Sequence, residues 1–304
     1  MSRSPSSPVY VGFATAIALC ASSAGAQSWA DSLRAALSAQ IAQVPGAMVG
    51  VAFHDLGSNT HVNINGDSLF HAASTMKVPV MIEYFRAMDA GRIAVNQSVL
   101  LLNRFGSIVD GSQYSLDAAD DSDSSLYRMA GTRLPVSQLV ERMVTRSSNL
   151  ATNAVIELVG PNAVTATARR LGAPSIRVLR GVEDNLAFRQ GLNNVTSPID
   201  LAVLLEAIER RRAASPAACS AMLAILERQE FNAEIPAGLP RGTRVAHKTG
   251  WITGVLHDAA VIYPTDHAPY VLVVLTSGIP DQRIARALII DLSRITWSAV
   301  QNRR

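Results

Sequence analysis

Residues 243–276 read TRVAHKTGWITGVLHDAAVIYPTDHAPYVLVVLT. Three apolar, β-branched runs stand out: Thr243 to Lys248, Val255 to Tyr263, and Tyr270 to Thr276. Turn signals at Gly250–Gly254 and Pro264–Ala268 separate them, so the stretch predicts three consecutive antiparallel strands. Such strands need partners, and the other end of the chain supplies them. Ala47 to Phe53 is a compact β-branched run, Leu56-Gly57-Ser58-Asn59 a turn, and His61 to Ile64 an alternating return strand. Helical periodicity predicts helices at Ser28 to Val44, Ser74 to Asp89, Val136 to Met143, Asn149 to Val159, Asn162 to Leu171, Pro198 to Arg211, Pro216 to Gln229 and Asp281 to Val300. The expected fold is α/β of the α+β type: one antiparallel sheet built from both ends, flanked by helices, with an all-helical lobe inserted. A cleft is expected between the lobes. The predicted boundaries are 27–70 and 235–304 for the α/β lobe and 71–234 for the helical lobe.

The chain has 304 residues, 48% hydrophobic and 17% charged. So low a charged fraction argues against a disordered chain. No interior run reaches the length of a membrane span, which excludes a polytopic membrane protein. A net charge of +3, scattered along the chain, predicts no nucleic-acid partner. Arg3, the apolar stretch Val9 to Leu19, and Ala24-Gly25-Ala26 describe a secretory signal peptide covering residues 1–26. The expected location is periplasmic or secreted, with 27–304 as the mature domain. Leu19 is too large for a lipoprotein signal at Cys20, so no stable membrane anchor is expected. Cys219 then remains alone and forms no internal disulfide. The polar segment Gly106 to Leu134 carries Asp117, Asp120, Asp121 and Asp123. It lacks the ligand spacing of a calcium loop and reads as a solvated insertion.

The six histidines show no zinc-binding spacing, and there is no Gly-x-Ser-x-Gly elbow and no phosphate loop. No cofactor or metal is expected. Gly66-Asp67-Ser68-Leu69 imitates the nucleophile block of another esterase class but lacks the Asp-x-x-His that would supply a base. The informative residues are the lysines: 25 arginines and only two lysines, Lys77 and Lys248. Lysine can lose its proton when desolvated; arginine cannot. Lys77 lies three residues after Ser74, on one face of a predicted helix whose N-terminus favours developing negative charge. That is a Ser–Lys arrangement for nucleophilic catalysis. Lys248-Thr249-Gly250, at the end of a predicted strand, has the cation, hydroxyl and close backbone approach to hold a substrate carboxylate. Ser147-Ser148-Asn149, at a helix–helix junction, offers a hydroxyl for proton transfer and an amide for binding. Each piece has a structural alternative, a helix cap or a hairpin end. It is their coincidence, with both lysines in two of the three, that points to a site.

The ordered triplet Ser-x-x-Lys, Ser-x-Asn, Lys-Thr-Gly resembles the class A β-lactamases and their penicillin-binding relatives. The class C type is less similar, because no tyrosine here begins a Tyr-x-Asn. The resemblance implies Ser74 as acylated nucleophile, Lys77 as its base, Ser147 as proton carrier to the leaving nitrogen, and Asn149 as binder of the acyl-amide side chain. It implies Lys248 and Thr249 as carboxylate holders beside Gly250, and the backbone N–H groups of Ser74 and Trp251 as the oxyanion hole. Three departures accompany it. Ser148 stands where the family usually has a buried structural Asp. Arg180-Gly181-Val182-Glu183 has one residue more than the family's loop motif, leaving Glu183 as the candidate deacylation base, with Asp184 beside it and a surface pairing of Glu183 with Arg180 or Arg189 as the alternative. The arginine that often assists carboxylate binding is not visible; His257 lies near its place.

The implied function is an exported, monomeric serine β-lactamase (EC 3.5.2.6) that hydrolyses the β-lactam amide through an acyl-enzyme. A D-Ala-D-Ala peptidase or esterase on the same site is the alternative, and the substrate is a small β-lactam or a peptidoglycan-like molecule.

Overall fold

A computed structural model describes the main chain of Met1 and residues 14–303, and the side chains of Met1 and 27–303. Of the expected export signal, residues 1–26, all but Met1 therefore lies outside the residues whose side chains are described.

Five antiparallel strands form the main sheet: β1 Met48–Asp55, β2 His61–Ile64, β3 Arg244–Ile252, β4 Val255–Tyr263 and β5 Tyr270–Ser277, in the order β2-β1-β5-β4-β3. The two chain ends thus meet at the centre, where Met48 to Asp55 pairs with Ser277 to Tyr270. The helices are α1 Ala14–Ile41, α2 Lys77–Asp89, α3 Val136–Thr145, α4 Asn149–Val159, α5 Pro161–Arg170, α6 Asn185–Arg189, α7 Pro198–Glu209, α8 Pro216–Glu227 and α9 Gln282–Gln301. No helix among the described residues is long and apolar enough to cross a membrane.

The unbroken apolar run of β5 follows from burial on both faces. Side chains alternate across a strand. Val271, Val273 and Leu275 enter the core shared with α2, α4, α7 and α8, while Tyr270, Leu272 and Val274 enter the core shared with α1 and α9. Every residue from Val271 to Leu275 is fully buried, so truncating one, such as Leu272→Ala, costs about 2–5 kcal/mol. Trp29 ties α1 to α9 by donating to the Ala299 carbonyl at 3.0 Å.

Four local readings change. The helix expected from Ser28 to Val44 runs from Ala14 to Ile41. Strand β3 continues through Gly250 to Ile252 instead of ending at Lys248. Gly250 stays extended because it lies against the chain at Ser74: a Cβ there would be 2.9 Å from the Ser74 nitrogen and 3.0 Å from that of Thr75. The helix expected from Ser74 divides into a 3-10 turn, Ala73–Met76, and α2 proper. Pro79 then falls in the first turn of α2, where a missing N–H donor costs nothing. The acidic insertion is solvated only in part: Asp117 and Asp120 are exposed, whereas Asp121 and Asp123 are buried.

Candidate active site

Ser74 sits in the 3-10 turn that leads into α2 and packs against β3. Ala73 before it takes a left-handed φ of 45°, and the Ala73 N–H donates to His71 Nδ1 at 3.0 Å. A non-glycine residue in that region costs of order 1–3 kcal/mol and persists only where the surroundings enforce it. Here β3 does so through Gly250. β3 is an edge strand, so one row of its amides is turned away from β4, towards this turn.

Lys77 is fully buried, and its Nζ bonds to the Ser147 carbonyl (2.6 Å), Ser147 Oγ (3.1 Å) and Asn149 Oδ1 (3.0 Å). Its hydrogen bonds thus run to the α3–α4 corner rather than to Ser74. Burial lowers its pKa to about 7, against the opposing pull of Asp121 and Glu183. Lys248 is also fully buried and donates to the same Ser147 Oγ at 3.1 Å and to the Thr249 carbonyl at 2.9 Å. Burial first, and the charge of Lys77 second, hold it well below an ordinary lysine. One hydroxyl therefore bridges both lysines of the chain. Ser147 itself has φ 56°, a second left-handed non-glycine residue at the site. Thr249 Oγ1 is buried without a hydrogen-bond partner.

Asn149 links the lysine to the loop after α5. Its Oδ1 accepts from Lys77 and its Nδ2 donates to Glu183 Oε1 at 2.6 Å. Glu183 is half-buried and takes φ 61°; burial raises its carboxyl above the usual range, opposed by the bond from Asn149. The surface-pairing alternative is not what the structure has. Arg180 instead binds the Leu192 and Gly181 carbonyls and Asn193 Oδ1. Asp184 caps α6 and accepts from Ser107 Oγ at 2.9 Å and the Ile108 N–H at 3.0 Å, so it is engaged structurally.

The loop is fastened to α4 at Gly181 and Val182. Asn153, one turn after Asn149 on α4, accepts from Val182 N–H at 2.6 Å and donates to the Val182 carbonyl at 3.1 Å. A Cβ on Gly181 would meet Asn153 Oδ1 at 2.5 Å, so only glycine permits this approach. Asn194 closes the loop's base through Leu179 N–H (2.7 Å) and the Arg180 carbonyl (3.0 Å). The i, i+4 spacing of Asn149 and Asn153 was the available signal for Asn153; Asn194 and Asp121 carried none.

The cleft is a cavity of about 420 Å³ lined by Ser74, Asn149, Glu183 and Trp251, with His71 and Phe188 among its other walls. Four of the nine expected site residues line the cavity; Lys77, Ser147 and Lys248 join them through hydrogen bonds, and Gly250 lies against Ser74 with Thr249 beside it in β3. His257 does not join them. It is fully buried, with Nε2 on the His71 carbonyl at 2.9 Å and Nδ1 within reach of Thr276 N–H at 3.2 Å, and burial lowers its pKa to about 4. A neutral, internally bonded imidazole cannot hold a substrate carboxylate. Ser68 does not line the cleft either.

The one His-and-carboxylate grouping among the described residues that could approach a metal is His54 and His61, paired by the β1–β2 register, with Glu206 of α7. It lies outside the cleft. The two imidazoles stack at 3.9 Å, and Glu206 already accepts from Arg210 and Arg212 at 2.9 Å each. Stacked rings cannot both aim in-plane lone pairs at one ion, and two guanidinium groups on the carboxylate repel a cation.

Residues 32–300 match the profile of the β-lactamase enzyme family. The β-lactamase Toho-1 of Escherichia coli is 28% identical over 269 residues, covering 87% of each chain. A β-lactamase from Sphaerobacter thermophilus superimposes with a TM-score of 0.74 at 31% identity, over 88% of this chain and 97% of that one. A mutant of PBP-A, in acyl-enzyme complex with penicillin G, gives a TM-score of 0.76 at 27% identity, over 89% of this chain and 97% of that one. The chain belongs to the β-lactamase enzyme family, among the serine hydrolases of class A and their penicillin-binding relatives.

Proposed function

We propose that the protein is an exported serine β-lactamase, with residues 1–26 as its leader, that hydrolyses the β-lactam amide through an acyl-enzyme on Ser74. The observation that carries this reading is the Ser147 hydroxyl held 3.1 Å from both buried lysines. In the first step Ser74 Oγ attacks the lactam carbonyl and passes its proton to neutral Lys77. Charge develops on the carbonyl oxygen, facing the N–H groups of Ser74 and Trp251. As the C–N bond breaks, Lys77 gives the proton to Ser147, whose own proton goes to the leaving nitrogen. Lys248 and the partnerless Thr249 hydroxyl bind the substrate carboxylate, and Asn149 its acyl-amide side chain. In the second step Glu183 removes a proton from water as that water attacks the ester, and the proton returns to Ser74 Oγ. One water is consumed and no cofactor is required.

The PBP-A acyl-enzyme supports the first step by similarity. A second reading, a penicillin-binding peptidase with slow deacylation, draws on the left-handed, extra-residue geometry of Glu183. Intact-mass spectra of the protein mixed with penicillin G separate the two. An adduct that decays while ring-opened product accumulates supports hydrolysis. An adduct that outlasts the assay favours the peptidase, and neither adduct nor ring-opened product defeats both.

A further inference from the structure

We infer that Asp121 is a positioning residue of the catalytic machinery, supplying from the acidic segment before α3 the carboxylate that organises the Ser147-Ser148-Asn149 turn. One of its oxygens, Oδ2, accepts the Asn149 N–H at 2.9 Å and the Leu150 N–H at 2.9 Å, the first two amides of α4. Tyr127 donates to the same oxygen at 3.0 Å, and Ser148 Oγ stands 3.5 Å away. The other oxygen, Oδ1, accepts the Asp123 N–H at 2.9 Å. Asp121 is 6% exposed, and both its carboxylate oxygens are occupied. Such charge-assisted bonds at a helix N-terminus are among the strong ones.

The neighbouring acid anchors the segment. Asp123 takes a bidentate grip from Arg142 at 2.6 and 2.7 Å, and Ser122 Oγ donates to the Arg146 carbonyl at 2.6 Å. The Arg142 carbonyl accepts the Ser148 N–H at 3.2 Å, so the segment and the turn are fastened to the same helix end. The consequence reaches the chemistry in two ways. Asn149 is fixed by its backbone at Asp121 while its side chain spans Lys77 and Glu183. Ser147, one residue before the helix cap, is kept in its left-handed conformation, which aims its hydroxyl at both lysines. The Asp121 charge also favours the protonated form of Lys77.

Position 148 offers a swap. Ser148 Oγ points at the Asp121 carboxylate, so an Asp at 148 could fill the same place, but not while Asp121 is there. Two carboxylates so close cannot both stay ionised.

The assignment rests on acylation at Ser74. A wild-type protein that takes no acyl group from penicillin G defeats that reading before any variant is made. With wild type acylated, Asp121→Ala should lower the acylation rate constant by about tenfold to a hundredfold, the scale of two charge-assisted hydrogen bonds. Ser148→Asp alone should also be slower than wild type. Ser148→Asp combined with Asp121→Ala should recover at least about tenfold over Asp121→Ala. Asp121→Asn, which keeps the shape and folds if Asp121→Ala does not, should move the acid limb of the acylation pH profile down by about half a unit or more. Wild-type acylation in Asp121→Ala, a swap no faster than that variant, or an unmoved limb in Asp121→Asn would each overturn the assignment.

Discussion

Replacing Lys77 by Met should make the protein's stability less dependent on pH, by an amount the structure fixes. Lys77 is fully buried, and its pKa falls from an ordinary 10.5 to about 7. Between those values the unfolded chain holds the proton and the folded chain does not. Stability therefore rises with pH through that window, and the part owed to Lys77 is lost as pH falls from 10.5 to 7. At about 1.4 kcal/mol per pH unit, less the half-protonation near pH 7, wild type should gain about 2 kcal/mol between pH 7 and pH 9 that Lys77→Met does not. Met matches the volume and cannot titrate. It also leaves the Ser147 carbonyl and Asn149 Oδ1 without their donor, at about 1–3 kcal/mol each. That loss is the same at both pH values and cancels from the comparison. Relief of Lys248, part of whose depression comes from Lys77, acts in the same direction. The assay is urea unfolding of both proteins at pH 7 and pH 9. Parallel pH dependence of the two would refute a neutral Lys77, and with it the proposed base.

Acylation should fall about tenfold per pH unit below about pH 7 as Lys77 takes up its proton, read from burst rates across pH. Glu183→Gln should acylate normally yet accumulate adduct, with turnover down about a hundredfold or more; equal deacylation rates in the two proteins would remove Glu183 from the second step. Arg cannot serve as a base at position 77, and full burial of Lys248 leaves no room for a larger cation there either. Both Lys→Arg variants should therefore lose acylation, Lys248→Arg chiefly through KM. Gly250→Ala would drive a Cβ against the Ser74 and Thr75 amides, so acylation should drop about tenfold or more while far-UV circular dichroism stays unchanged. Asn153→Ala frees the loop at Val182, and should slow deacylation more than acylation in single-turnover assays.

The strands and helices were legible because burial on one or two faces writes itself into apolar periodicity, as in β5. The candidate site was legible because lysine survives here at only two positions, each inside a short motif with a chemical reason for lysine. What escaped depended on contacts between distant segments. Gly250 reads locally as a turn, and only the turn at Ser74 packed against it explains why it remains in the strand. The acidic segment reads as solvated because charge counts cannot reveal that Asp121 and Asp123 meet α4 and Arg142. Glu183 sits one residue away from the family's spacing, and the close approach of Gly181 to Asn153 is a property of the folded loop. His257 lay at the right place along its strand, yet its environment is internal.

The most direct test of the whole account is rapid-quench mass spectrometry of the wild-type protein with penicillin G, with the adduct mapped by peptide digestion. The account predicts an acyl group on Ser74 that forms within a turnover and decays at the rate of steady-state hydrolysis, and no adduct or hydrolysis in Ser74→Ala. Hydrolysis that persists in Ser74→Ala, or an adduct on any other residue, would contradict it.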